Sequence, residues 1–478
     1  MFEYMGMEIG EAMTMDLTVR LVSQSDRGLA CCAAAARLST TSHPAWQLME
    51  RRQGDAQDQA LVRKVLSSGH RSVLEHHAMT YALDGVSVLA EQFLIECRLC
   101  SFTVKSRRYV DFSQAGYYVP PLAPALETAY RQAMEARFAD YAALTALGVP
   151  REDARFVLPY CFYSSLYLSA NAREMALLIA HLCWGRGRNF PELRRLGQAM
   201  AQPYEGAFPG VLDTLRPQME AYTPWPLAVH IAPCAPCTPR AQLLSAPPEG
   251  SRLLAQGLAF SQRFPGQTPS SPPGFREQDA AEAEPFPQAL SALVKDPRPR
   301  ELELLSYVFR LEDLSLAGLT HLARHRIQSP LFSPILTAVN RQRYLLPPSV
   351  SGNAPALALY QAAFEAQRKT ALNLADQGLS PEDLSYMALS GLTVETITAM
   401  NARELLHFMK LRTCTRAQWE IRGLAGQLLE QLRALDPALF SLYGPSCHVM
   451  GWCPEGRLSC GRAPTQPPSS QSPSQIGQ

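Results

Sequence analysis

The chain has 478 residues, length enough for two to four domains, and 47% of them are apolar, which supports sizeable cores. Its 44 basic residues against 43 acidic ones give a net charge of +1, so bulk charge points to neither nucleic acid nor an anionic membrane as a partner. No run of 18 or more apolar residues occurs, the opening MFEYMGMEIGEAM lacks the basic region of a signal peptide, and the twelve cysteines read as reduced thiols in a cytoplasm.

In chain order, HAMTYALDGVSV (His77 to Val88) partly alternates and is rich in valine, tyrosine and threonine, so it predicts a strand. AEQFLIECRL (Ala90 to Leu99) predicts a helix, and RYVDF (Arg108 to Phe112) a short strand. Ala125 to Gly148 is a long amphipathic helix closed by its glycine. From Tyr222 to Gln288, proline, serine and glycine dominate, a composition that buries little apolar surface and predicts a linker. GLTHLARHRI (Gly318 to Ile327) predicts a helix, RYLLPP (Arg343 to Pro348) a short strand, and Ala356 to Gly378 a second long helix ending in glycine. The tail from Ala463 to Gln478 reads as disordered.

The blocks flanking the linker are related. ECRLCS at Glu96 answers RHRIQS at Arg324, an offset of 228. GVPRED at Gly148 answers GLSPED at Gly378, and NARE at Asn171 answers NARE at Asn401, both offset by 230. Collinear matches at nearly constant offset indicate an internal duplication of a unit of about 200 residues. The expected layout is a first copy over 16–221, the linker over 222–288, a second copy over 289–462 and the tail over 463–478.

NARELLHFMKLR, Asn401 to Arg412, is rich in good helix formers. Asn401, Leu405, Phe408 and Arg412 share one stripe, with Arg403 and His407 on the neighbouring one. At about 1.5 Å per residue, Asn401 and Arg412 stand roughly 16 Å apart. On its own such a helix could keep its charges in water, Asn401 could merely cap it, and Arg-His-Arg could be a solvated turn.

The order GHRSVLEHHAMTYAL, SFTVKSRRYVDFS, VPREDARFVLP, NARE, together with RHRIQS and NARELLHFMKLRTCTRAQWEIR, resembles the flavin-dependent thymidylate synthases. That resemblance implies an α+β fold, a mixed sheet with long helices, present here as two tandem copies packed as a pseudo-dimer. It implies methylation of dUMP to dTMP with FAD, and with methylenetetrahydrofolate and NADPH as co-substrates. By position it makes Arg412 the base-contacting, catalytic arginine. Ser106, Arg107, Arg108 and Tyr109 match the nucleotide phosphate loop, and Arg155 a second dUMP-binding arginine. Flavin contacts fall on Ser39, His70, Ser72, Glu75, Asn171 and Arg173 in the first copy, and on Arg324, His325, Arg326, Asn401, Arg403 and His407 in the second. The residue types suit the ligands, because phosphates call for arginine forks and hydroxyls, and a fixed cation favours the ionised base.

Each copy lacks part of the set. The first reads Glu96-Cys97-Arg98 at the trio and Leu182 at the base-contacting position, and its AQWEIR counterpart is expected at RGRNFP (Arg186 to Pro191). The second has Pro334 where the loop serine belongs and Ser385 where the second dUMP arginine belongs. The expectation is a composite site drawing on both copies, in a homodimer equivalent to the family tetramer, with small-molecule nucleotide and folate partners and neither nucleic acid nor membrane. A non-catalytic or repurposed nucleotide-binding relative is the alternative. Cys234 and Cys237 beside His230 could supply one pair of zinc ligands, but the second set, Cys447, Cys453 and Cys460, is spaced too widely for a zinc knuckle, and no metal is expected.

Overall fold

The computed structural model describes residues 16–50, 54–223, 226–261 and 285–463. They form two units, Met1–Pro236 with Ile335–Leu392 and Cys237–Pro334 with Thr393–Gln478. The predicted tail beyond residue 463 and the stretch 262–284 of the predicted linker lie outside the described residues. Among the described residues no helix is long and apolar enough to cross a membrane.

The first unit is built on an antiparallel sheet. Its strands are β1 (Thr18–Gln24), β2 (Ala78–Ser87), β3 (Ser101–Val104) and β4 (Tyr163–Asn171), ordered β1-β2-β4-β3. Alternation decides which face is buried: Met79, Tyr81 and Leu83 are fully covered, while Thr80, Ala82 and Asp84 are half exposed on the other side. Gly85, at φ +66, sits where the register between β2 and β4 shifts, a conformation that suits glycine. β2 runs into helix α1 (Val88–Ile95), whose N-cap Ser87 accepts from the Ala90 amide at 3.0 Å. Ser87 is fixed in turn by buried Glu192, which accepts from its amide at 2.7 Å and its hydroxyl at 2.6 Å.

The second unit repeats this plan. Strands β5 (Arg240–Ser245), β6 (Ser306–Ser315), β7 (Ser329–Phe332) and β8 (Thr393–Asn401) are ordered β5-β6-β8-β7. Asp313, at φ +55, takes the place of Gly85, a left-handed position that aspartate tolerates better than most residues. Ser315 caps helix α2 (Leu316–Leu322) and is held by buried Glu420 at 2.7 and 2.5 Å. Glu420 therefore answers Glu192, and the counterpart of AQWEIR is the stretch around Glu192 rather than RGRNFP.

β5 corrects the predicted linker. Arg240 to Ser245 is the edge strand of the second sheet, as β1 is of the first, and the helix Gly250–Phe260 follows it as Gly28–Leu38 follows β1. The second copy begins near Arg240, not at residue 289. Its outer edge is not left bare: Gln427 accepts from the Ala241 amide and Gln431 from the Leu243 amide, both at 2.8 Å, and Gln431 donates back to the Ala241 carbonyl at 2.7 Å. RYVDF is a turn and an extended segment, not a strand, because the Tyr109 and Val110 amides are taken by the Ser106 carbonyl.

The long helices α3 (Pro124–Ala146) and α4 (Ala354–Asp376) both belong to the first unit, and each ends before a glycine at positive φ, Gly148 and Gly378. Arg137 of α3 donates to the Ala363 carbonyl of α4 at 2.5 Å. Two segments offset by 230 run antiparallel beside each other: the Gly391 amide donates to the Phe156 carbonyl at 2.8 Å, Ser390 to Leu158 at 2.9 Å, Tyr160 to Ala388 at 2.8 Å and Cys161 to Tyr386 at 3.0 Å. Each copy thus lends the same short segment to a mutual ladder.

Candidate active site

In the first unit the turn after β3 carries Ser106 to Tyr109. The Arg108 amide donates to Ser106 Oγ at 3.4 Å. The Arg108 guanidinium meets the Glu152 carboxylate, Nε to Oε1 at 2.6 Å, and Arg155 Nε donates to the Glu152 carbonyl at 3.0 Å. Glu152, which the motif reading passed over, therefore gathers both predicted phosphate-binding arginines. Its place in VPRED, three residues before Arg155, is the only signal the sequence offers. Arg107 is different. It is buried in an ion pair with Glu91 and lies 5.9 Å above the Phe162 ring, so it serves the core rather than a ligand. Tyr109 is 63% exposed, with Arg108 over its ring.

The predicted flavin residues of the first copy divide. Asn171 caps helix α5 (Ala172–Cys183) by accepting from the Glu174 amide at 2.9 Å, and Arg173 pairs with Glu75 at 2.6 Å. Ser39 gives its hydroxyl to the Ala36 carbonyl, and His70 and Ser72 are exposed. The cleft over Arg173 holds only about 10 Å³, because Val211, Thr214 and Leu215 close it against Ala176 and Leu177.

The second unit repeats the pair and opens the cleft. Asn401 caps helix α6 (Ala402–Arg412) through the Glu404 amide at 2.8 Å, and Arg403 pairs with Glu303, the residue that answers Glu75. Here a cavity of about 510 Å³ is lined by Asn401, Arg403, Leu406, His407 and Lys410 of the helix and by Pro297, Pro299 and Ile327. Lys410 was not singled out from sequence, although its i, i+4, i+7 spacing with Arg403 and His407 places it on the same face. It donates to the Val294 carbonyl at 3.4 Å, and burial lowers its pKa. Cations beside an apolar wall are what a dinucleotide with a flat ring system requires, so these residues fit FAD.

The trio does not act as a set. Arg324 and Arg326 are exposed, whereas His325 is buried and turns toward α6. Its Nδ1 lies 3.0 Å from Glu404 Oε1, and Arg412 Nε donates to its Nε2 at 2.9 Å. Arg412 Nη2 also donates to the His321 carbonyl at 3.1 Å. Burial lowers the His325 pKa; Glu404 opposes that shift and the Arg412 charge adds to it. In the first copy the same places hold Glu174, Cys97 and Leu182, and burial with the Glu96 and Glu174 carboxylates pushes the Cys97 thiol up to about 12.

The profile of the family described as "Thymidylate synthase complementing protein" matches residues 20–210 and again 242–438. Among curated relatives, a protein of Geobacter sulfurreducens named "Flavin-dependent thymidylate synthase" is 36% identical over 172 residues, covering 34% of this chain and 71% of its own. One of the same name from Nitratidesulfovibrio vulgaris is 33% identical over 237 residues, covering 47% of this chain and 96% of its own. A solved UMP/dUMP methylase, PolB from Streptomyces cacaoi with bound 5-Br dUMP, is 26% identical, covers 42% of this chain and 94% of that one, and superposes with a TM-score of 0.36. Two successive matches that together span most of the sequence place the chain in the flavin-dependent thymidylate synthase family, as a tandem-duplicated and divergent member.

Proposed function

We propose that the chain methylates dUMP to dTMP with FAD, a reduced nicotinamide and methylenetetrahydrofolate, at one composite site per chain. The observation that carries this reading is the complementary loss. The first copy keeps Ser106, Arg108 and Arg155 around Glu152, and the second keeps Arg412 and the open cavity over Arg403. Decay without selection would not spare opposite halves. The mutual ladder of residues 156–161 and 386–391 supports a pseudo-dimer, and two chains then supply four copies.

In this reading Arg108 and Arg155 hold the nucleotide phosphate, and Arg412 faces the uracil, where its charge favours the ionised base. Arg403, His407 and Lys410 hold the FAD diphosphate against the Ile327 side of the cavity. Bound FAD supplies the hydride chemistry that no side chain can provide.

Visible absorption of the purified protein tests for flavin, and tritium release from C5 of dUMP tests for chemistry. A flavin spectrum with no tritium release under reducing conditions with folate would favour a nucleotide-binding relative. One observation leans that way: Ser385, in place of a second phosphate arginine, gives its hydroxyl to the Pro381 carbonyl.

A further inference from the structure

We infer that Glu404 is the positioning residue of Arg412, acting through His325. The inference rests on the proposed role of Arg412 at the base. Glu404 and Arg412 lie on one helix, eight residues and roughly 12 Å apart along its axis, too far to touch. His325 spans the gap from the turn after α2, with Glu404 Oε1 at 3.0 Å on one ring nitrogen and Arg412 Nε at 2.9 Å on the other.

The chemistry of the three groups permits one arrangement of protons. A guanidinium only donates, so His325 Nε2 must accept. The single ring proton therefore sits on Nδ1 and is donated to the Glu404 carboxylate. A carboxylate at that end fixes the tautomer that the arginine at the other end requires. The ring itself is held edge-on by Phe408 at 4.9 Å and His407 at 5.7 Å. With Nε on His325 and Nη2 on the His321 carbonyl, one edge of the Arg412 guanidinium is pinned by two acceptors.

The start of the relay is fixed as well. Asn401 caps the helix through the Glu404 amide, so the asparagine of NARE sets the turn from which the carboxylate projects. The first copy supplies an internal contrast. It keeps the cap and the carboxylate, Asn171 and Glu174, yet it has Cys97 for the imidazole and Leu182 for the guanidinium. Imidazole and arginine are lost together, as expected if the one exists to hold the other. His325 thus moves from the flavin contacts that the motif suggested to the support of Arg412.

The test pairs two variants with a readout independent of activity. In 15N spectra of ring-labelled wild-type protein, with His325 assigned by its loss in His325→Asn, Nδ1 should be of the protonated type and Nε2 of the unprotonated type at neutral pH. Glu404→Ala should lower kcat by about tenfold to 10²-fold, while KM for dUMP stays within about twofold. Glu404→Gln keeps an accepting oxygen at the same place and should restore most of kcat. It also keeps the proposal testable if the alanine variant fails to fold. The opposite tautomer, a doubly protonated ring, or wild-type kcat in folded Glu404→Ala would overturn the proposal. The expected tautomer in a protein without turnover would instead leave the positioning intact and sink the proposed function.

Discussion

The Arg108 guanidinium sits against the Glu152 carboxylate, Nε to Oε1 at 2.6 Å, in the turn that carries Ser106. Both side chains are about a quarter exposed, so a nucleotide phosphate can reach the same guanidinium and displace the carboxylate. Arg108→Ala should weaken dUMP binding by about 1.5–3 kcal/mol, the range for a lost charged hydrogen bond. Deoxyuridine, which has no phosphate, should bind the variant and the parent alike. Calorimetric titration with both ligands checks this, and an equal loss for both would place the phosphate elsewhere.

Arg412→Ala should act on turnover rather than on binding. Its charge matters most as the base ionises, so tritium release from C5 should fall by about 10²–10³, the range seen when one preorganised donor is removed. The dUMP dissociation constant should change little. A large loss of affinity at unchanged turnover would contradict the assignment.

Flavin content should separate the two copies. The Glu75–Arg173 and Glu303–Arg403 pairs are equivalent, but only the second borders a cavity with room for a ligand. Arg403→Ala leaves Glu303 with only Arg300, 3.8 Å away, and removes a cation from that cavity, so it should weaken FAD about tenfold to a hundredfold. Arg173→Ala should leave flavin content unchanged. The ratio of flavin to protein absorbance should reach one per chain, and a ratio of two would show that the first cleft opens.

His77 is a stability prediction. Both ring nitrogens are buried without a hydrogen-bond partner among the described residues, and the ring packs edge-on against Phe208 at 4.9 Å. The same place in the second copy is Leu305, and the two backbone carbonyls do the same work, accepting from Ala172 at 2.7 Å and from Ala402 at 2.8 Å. His77→Leu should therefore stabilise the protein by about 1–3 kcal/mol, the desolvation cost of an unpaired group. Burial lowers the His77 pKa below its ordinary 6.5. The unfolded chain then binds a proton that the folded one refuses, so stability falls as pH drops through that value and levels off below the folded pKa. Thermal melts from neutral pH into the acid range should show a shallower decline in the variant, and parallel curves would count against this account.

What the sequence by itself determined was what lies in local pattern and in order. Alternation at Met79, Tyr81 and Leu83 and glycines after the long helices are properties of a few neighbouring residues, and the near-constant offset exposes the duplication. Which residues each copy lost follows from the same alignment. Tertiary structure decided what depends on partners outside the local pattern, from 16 to 188 positions away. Arg240 to Ser245 looks like linker because its proline-rich surroundings mask it, and only the unfilled edge of β6 and the amides of Gln427 and Gln431 make it a strand. Arg107 looks like a ligand-binding arginine until Glu91 is found beside it. Arg-His-Arg reads as three equivalent polar residues, yet the turn after α2 points two of them outward and the third into the core. Periodicity cannot report that difference, because it arises from Glu404 and Arg412, which lie 79 and 87 residues further along the chain and meet His325 only when the helix packs.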